Sequence, residues 1–140
     1  MLEDKKNLII LWAPVLVFTI LNVYLSVMTW EDVRSTIGWV KNIPQKTNFK
    51  LRHIVQYGPQ TFYLAWLCVR TFSLSHKVAL FIGIAYVVIM GALGEVIQSF
   101  TPSRIPSFYD VMWNLVGGLV GAAIYLLVLQ ISKQKKHAEA

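Results

Sequence analysis

Several polar side chains that could do acid–base chemistry or bind a ligand lie inside or beside long apolar segments. Glu95 and Gln98 are three residues apart and Asp110 and Asn114 four apart, so each pair shares one helix face. His53 opens another apolar segment, and histidine changes its charge near neutral pH. Because a polar group in hydrocarbon must find a partner or cost free energy, these residues mark a candidate site. His53, Glu95 and Asp110 are the candidates for catalytic acid–base roles.

Two arginines extend this set, because the guanidinium groups of Arg52 and Arg104 suit phosphate or carboxylate. A histidine with two carboxylates could form a non-haem metal triad, but three residues on three separate segments are a weak pattern. We therefore predict no metal and no cofactor. The predicted ligand-binding residues are Arg52, His53, Tyr57, Glu95, Gln98, Arg104, Asp110 and Asn114.

The same residues also have purely structural interpretations. Asp110 follows Ser107 by three residues, so the two could cap a helix that starts there. Glu95 is the hardest to explain in this way, because it requires a cation or a hydrogen-bond donor. The remaining members could be ordinary interface, aromatic-belt or helix-end residues, namely His53, Tyr57, Gln98 and Arg104.

The segments that carry these residues have the composition of a membrane protein. The chain has 140 residues, 56% hydrophobic and only 14% charged, with a mean hydropathy of +0.54. A soluble domain would have about 25% charged residues. We predict an all-α integral membrane protein in a single domain, residues 1–140, with four transmembrane helices. The apolar runs long enough to cross a bilayer are about 8–28, 53–72, 78–100 and 108–131.

The segment between the first two spans is more than a linker. Apolar residues recur at helical spacing from Trp30 to Val40, with charged residues on the other faces, and Pro44 ends the pattern. This pattern predicts a short interfacial amphipathic helix at about 30–43, although a plain loop is the alternative.

Four spans would bring the polar residues together near one membrane surface, because the second span starts there, the third ends there and the fourth starts there. Gly117 and Gly121 lie below Asp110 and Asn114 on one stripe, a spacing that lets a neighbouring helix approach closely. With Arg52 and Arg104 set aside as site residues, Lys and Arg are more numerous on the terminal side, which predicts cytoplasmic termini. The net charge of +6 is dispersed over tails and loops, so no nucleic-acid partner is predicted.

Three stretches resemble the VanZ-like membrane proteins: "KLRHIVQY" (50–57), "EVIQSFTPSR" (95–104) and "SFYDVMWNLVGGLVG" (107–121). Members of that family have a basic residue three before a His and a Tyr four after it. They also have a Glu-x-x-Gln, a Pro-x-Arg loop and an Asp-x-x-x-Asn-x-x-Gly-x-x-x-Gly span. The resemblance covers about residues 50–125, with Gly94 and Ser103 standing where many members have Asp and Gly. It falls on Lys50, His53, Tyr57, Glu95, Gln98, Pro102, Arg104, Asp110, Asn114, Gly117 and Gly121.

The resemblance implies a multi-pass protein of the bacterial cytoplasmic (inner) membrane. The family is associated with low-level resistance to the glycopeptide teicoplanin, which implies a process in the cell envelope without naming a reaction. We therefore expect the protein to bind or handle an anionic lipid-linked envelope component, such as a cell-wall precursor, or a lipoglycopeptide. Arg104 and Arg52 would meet the anion in an outward-facing polar pocket.

Other functions stay open at the level of sequence. One is a membrane enzyme that acts on a lipid-linked substrate with His53 or Glu95 as acid–base. Others are a small transporter and a structural partner of another membrane protein. The chain has no nucleophile elbow, phosphate-binding glycine loop, HExxH or CxxC motif, so the residues do not fix a reaction. They do not fix the ligand or the oligomeric state either.

Overall fold

A computed structural model of the protein describes residues 2–28, 35, 45–100 and 106–138. Within these ranges the regular structure is entirely helical, with no strand, which confirms the all-α prediction for this part of the chain. The predicted interfacial helix at 30–43 lies outside the described residues, apart from Ser35. The helices are α1 (Leu2–Val27), α2 (Gln45–Phe72), α3 (His76–Gln98) and α4 (Phe108–Ala138).

Two of the described helices, α3 and α4, are long and apolar enough to cross a membrane. α1 has a shorter apolar stretch, Ile9–Tyr24. In α2 the apolar run is interrupted by polar residues such as Gln56 and Gln60. That all four helices cross the membrane therefore stays a prediction.

Two helices extend beyond the apolar runs that predicted them. α2 begins at Gln45 rather than near residue 53, and α4 continues to Ala138 rather than ending near residue 131. Gln, Lys and Arg favour helix about as well as most apolar residues, so a helix can continue where the hydropathy falls. His53 consequently lies two turns inside α2 and not at its start.

A short turn makes α2 and α3 antiparallel neighbours. Ser73 takes a left-handed conformation (φ 54°) directly after α2. Ser75 then caps α3, because its side chain accepts a hydrogen bond from the Val78 N–H. The start of α2 therefore lies beside the end of α3.

The most extensive helix contact is between α2 and α4, and it is made backbone to backbone. A Cβ atom at Gly117 would lie 2.6 Å from the carbonyl oxygen of His53, and one at Gly121 would overlap the carbonyl oxygen of Gly58. α3 packs on both helices, whereas α1 contacts α2 and α3 only, within the described part of the chain. The glycine stripe thus brings the first turns of α4 against the turn of α2 that carries His53.

Candidate functional site

A small polar pocket lies between the first half of α2, the end of α3 and the start of α4. Its interior free volume is about 20 Å³, room for one or two water-sized groups. The side chains around it are mainly polar, although the helices are mainly apolar. The lining residues are Arg52, His53, Gln56, Tyr57, Gly91, Gly94, Glu95, Gln98 and Asn114.

His53 is held between an amide and a carboxylate from α4. Its Nδ1 lies 2.5 Å from Asn114 Oδ1, and its Nε2 lies 3.9 Å from Asp110 Oδ2. An amide oxygen only accepts hydrogen bonds, so Nδ1 donates its N–H to Asn114. The imidazole ring also stacks on Tyr57, with ring centroids 6.3 Å apart and planes 11° from parallel. These contacts fix the orientation of an acid–base group at the pocket wall.

Asn114 reaches His53 because α3 has a glycine where the amide lies. A Cβ atom at Gly91 would overlap Asn114 Nδ2 and would lie 2.8 Å from Asn114 Cγ. Asn114 is only 2% exposed, so it has little room to move elsewhere. Gly91 is therefore a requirement of the site, although it carries no side chain.

Glu95 binds the start of α4. Its Oε2 accepts a hydrogen bond of 2.6 Å from the Ser107 N–H, next to the helix end where the backbone dipole favours negative charge. In the predicted cap, the Asp110 side chain would accept the Ser107 N–H. In the structure the acceptor is Glu95 of α3 instead. Asp110 instead turns its buried side chain towards His53, and within the described residues its Oδ1 has no hydrogen-bond partner.

The chain is similar to a known family of proteins. The family model VanZ/LLP1 matches residues 4–129. The chain belongs to the VanZ/LLP1 family. This confirms the resemblance seen in the three motifs and extends it over α1 and most of α4. No curated protein and no solved structure matches the chain. Family membership and the two apolar helices together indicate a membrane protein.

The structure of this VanZ/LLP1 protein separates the predicted site residues into three groups. Asp110 is buried beside His53 and is not among the residues that line the pocket. Arg104 lies outside the described residues. That the pocket binds a ligand stays a prediction. The predicted residues that do line it are Arg52, His53, Tyr57, Glu95, Gln98 and Asn114.

The metal triad considered for His53, Glu95 and Asp110 is not formed. Within the described ranges, no three His, Cys, Asp or Glu side chains are close enough together to hold a metal ion. The Glu95 carboxylate is bonded to the Ser107 N–H, and Asp110 lies outside the pocket lining. These three residues therefore do not share one metal site in the described part of the chain.

Sequence reasoning missed two residues of this VanZ/LLP1 site. Gln56 lines the pocket, and its Nε2 donates a hydrogen bond of 2.5 Å to Asn22 Oδ1 of α1. Gln56 is three residues after His53, so it shares the His53 face, and this spacing was the available signal. Asn22, 3% exposed, stands out as a polar residue inside an apolar segment, but its partner could not be predicted because it lies on another helix. The Asn22–Gln56 bond attaches α1 to the pocket wall.

Two lining side chains of the VanZ/LLP1 pocket are buried without a hydrogen bond. Tyr57 is 4% exposed and Gln98 is 7% exposed. Neither the Tyr57 hydroxyl nor the Gln98 amide makes a hydrogen bond among the described residues. Buried polar groups in folded proteins are nearly always paired with protein or water. The pocket therefore presents groups that require water or a ligand as a partner.

Gly91→Ala is expected to disturb the site from a position with no functional group. The added methyl overlaps the Asn114 amide and should weaken its bond to His53, at a cost of roughly 1–3 kcal/mol in the free energy of unfolding. Thermal unfolding in detergent measures this cost. The double variant Gly91→Ala with Asn114→Ala should cost less than the two single changes summed, because the alanine removes the overlapping amide. Additive costs would contradict the Gly91–Asn114 contact.

Proposed function

We propose that this VanZ/LLP1 protein binds the anion-bearing polar end of a membrane amphiphile at the opening of the pocket between α2, α3 and α4, with only a group of about the size of water entering the free space. The single observation that carries the proposal is the pair of buried side chains, Tyr57 and Gln98, that face the pocket without a hydrogen bond. A lipid-linked cell-wall precursor and a lipoglycopeptide such as teicoplanin are both amphiphiles of this kind. Binding either one would connect the pocket to glycopeptide resistance in the bacterial envelope.

The surroundings of the pocket favour an amphiphile over a small soluble molecule. Phe100, Phe108 and Tyr109 are 83%, 75% and 75% exposed, at the end of α3 and the start of α4. Exposed aromatic residues of this kind are typical of the level where a membrane meets water. Val96, on the same turn as the lining residue Glu95, is 57% exposed and apolar. The outermost group of a headgroup can therefore enter the polar pocket while the lipid chains lie against apolar outer surfaces.

Among the described residues that line the pocket, Arg52 has the cationic side chain that would meet the anion. It lines the pocket from α2, and a guanidinium group can bind phosphate or carboxylate through two parallel hydrogen bonds. Arg104, which the family resemblance places in the site, would supply a second cation. Asn114, Asp110 and Gly91 have structural roles, since they fix His53.

The test is native mass spectrometry of the protein extracted from its own membranes. Wild-type protein should retain a bound amphiphile, and Arg52→Gln should reduce its affinity roughly tenfold or more, because a charged hydrogen bond contributes about 1.5–3 kcal/mol. Lys133→Gln is the control, because Lys133 is exposed near the other end of the bundle. Equal occupancy in wild type and Arg52→Gln would contradict the proposal.

A second candidate, a membrane enzyme, is favoured by the fixed position of His53 between Asp110 and Asn114. In this function the protein binds the same headgroup, and His53 transfers a proton while the amphiphile is converted to product. His53→Gln would then leave the amphiphile bound but unconverted. If the bound amphiphile has the same chemical structure in wild type and His53→Gln, the protein binds without catalysis.

For the topology, we place four spans in the cytoplasmic membrane with both termini inside, so that the pocket faces outward. Cysteines introduced singly at Ser103 and Lys135 in a Cys68→Ala background should differ in labelling by an impermeant thiol reagent. Cys68 is buried, and alanine is close to it in size. In intact cells only position 103 should react. Labelling at position 135 alone would reverse the orientation.

A further inference from the structure

The lining of the pocket contains a carboxylate, Glu95, as well as the guanidinium group of Arg52. Arg52 lines it from α2 and Glu95 lines it from α3. The Glu95 carboxylate is held by the Ser107 N–H at the start of α4, where a negative charge is stabilised. A headgroup that carries only an anion would bring a second negative charge close to Glu95. A headgroup that also carries a cation would be complementary to both residues.

The size and chemistry of the free space define that cation. With an interior free volume of about 20 Å³, the pocket admits a group as small as water. A primary ammonium is of that size and donates three hydrogen bonds. A trimethylammonium group is much larger and has no N–H to donate. Acceptors for the ammonium are present in the carboxylate of Glu95, the hydroxyl of Tyr57 and the amide oxygen of Gln98.

We infer that the pocket selects a zwitterionic headgroup, whose primary ammonium enters the free space beside Glu95, Tyr57 and Gln98 and whose phosphate or carboxylate stays at the opening and meets the half-buried Arg52. This inference rests on the proposed function, because it assumes that an amphiphile headgroup occupies the pocket. The ligand that we propose is a membrane lipid with a phosphoethanolamine type of headgroup. A lipid is favoured over a soluble molecule because the exposed apolar and aromatic residues around the pocket can contact lipid chains.

Nanodiscs of defined composition test this selectivity. The protein is placed in phosphatidylcholine nanodiscs, and phosphatidylethanolamine or phosphatidylglycerol with the same chains is titrated in. Retained lipids are then counted by native mass spectrometry. Wild type should prefer phosphatidylethanolamine over each of the other two by roughly tenfold, a preference of the size expected for one charged hydrogen bond. A preference for phosphatidylglycerol or phosphatidylcholine would overturn the zwitterion inference and leave headgroup binding standing.

Two variants test whether Glu95 binds the ammonium and Arg52 binds the anion of the headgroup. Glu95→Gln keeps an acceptor for the Ser107 N–H but removes the charge, so the preference for phosphatidylethanolamine over phosphatidylglycerol should fall several-fold. Arg52→Gln should weaken the binding of phosphatidylethanolamine and of phosphatidylglycerol alike, and the ratio of their affinities should stay nearly unchanged. An unaltered ratio in Glu95→Gln would overturn the role of Glu95. Wild-type retention of every lipid in Arg52→Gln would instead overturn the proposed function itself.

A soluble competitor separates the lipid from a free metabolite of the same chemistry. O-phosphoethanolamine carries the phosphate and the primary ammonium without the chains. It should displace the lipid only at concentrations at least a hundredfold higher, because it lacks the apolar contacts. Equal potency of the soluble compound would overturn the assignment to a lipid.

Discussion

Gly121→Leu is expected to prevent stable folding. A Cβ atom at Gly121 would overlap the Gly58 carbonyl oxygen and lie 2.8 Å and 3.0 Å from the carbonyl carbon and Cα of Gly58. All three atoms belong to the backbone, so no side-chain rotation relieves the overlap and α2 must move away from α4. Even alanine should cost roughly 1–3 kcal/mol, although it favours helix over glycine by about 1 kcal/mol. Leucine, with three more carbon atoms, should cost more than alanine.

The yield of monodisperse protein in detergent and its melting temperature measure this effect. Ala123→Leu is the matched control, because Ala123 is exposed on the same helix and has room for the larger side chain. Ala123→Leu should behave as wild type. If Gly121→Leu also gave wild-type yield and melting temperature, α2 and α4 would not meet at their glycines.

Glu95→Ala is expected to be the most damaging substitution of a polar pocket residue. It removes the acceptor of the Ser107 N–H, and a hydrogen bond to a charged group contributes about 1.5–3 kcal/mol to stability. Glu95→Gln should be milder, because the amide oxygen has the same reach and still accepts the N–H. Chemical or thermal unfolding in detergent would give the order wild type, Glu95→Gln, Glu95→Ala in decreasing stability.

Gln98→Ala is the control for this order. Gln98 lies one turn further along α3 and is similarly buried, but it makes no hydrogen bond within the described residues. Its removal should cost less than about 1 kcal/mol, because no bond is broken and an unsatisfied amide disappears. Glu95→Ala and Gln98→Ala of equal stability would mean that Glu95 does not stabilise the start of α4.

Much of the site could be predicted because helix spacing and antiparallel order are readable from sequence. A spacing of three residues assigned Glu95 and Gln98 to one face of α3. A spacing of four assigned Asp110 and Asn114 to one face of α4. Antiparallel order then brought the end of α3 to the starts of α2 and α4. Those two steps were sufficient to group His53 and Tyr57 with the polar residues of α3 and α4.

The position of Asp110 could not be predicted, because it depends on the rotation of α4 about its own axis. That rotation is set by the Gly121–Gly58 contact and by the space above Gly91 that receives Asn114. Together these contacts turn Asp110 towards His53 and away from the pocket lining. The spacing along α4 placed Asp110 on the glycine stripe, but it did not say which neighbouring helix that stripe meets.

The hydrogen bond from the Ser107 N–H to Glu95 was not predicted for a different reason. Sequence reasoning considered side chains, whereas the donor of this bond is a backbone N–H at Ser107. Every helix start has free N–H groups, but which side chain reaches them depends on how neighbouring helices end. The start of α2 ahead of the predicted span was not foreseen for a related reason. Hydropathy marks the part of a helix suited to hydrocarbon, and α2 begins before that part.

Photocrosslinking within membranes shows directly whether the polar pocket receives the headgroup of an amphiphile. A photoreactive amino acid is introduced at Gln56, which lines the pocket and has no proposed contact with the ligand, and separately at Val55, which is 63% exposed on the same helix. We expect one defined amphiphile adduct at position 56, reduced in Arg52→Gln, and a mixture of bulk lipids at position 55. The same lipid mixture at both positions, unaffected by Arg52→Gln, would contradict headgroup binding at the pocket.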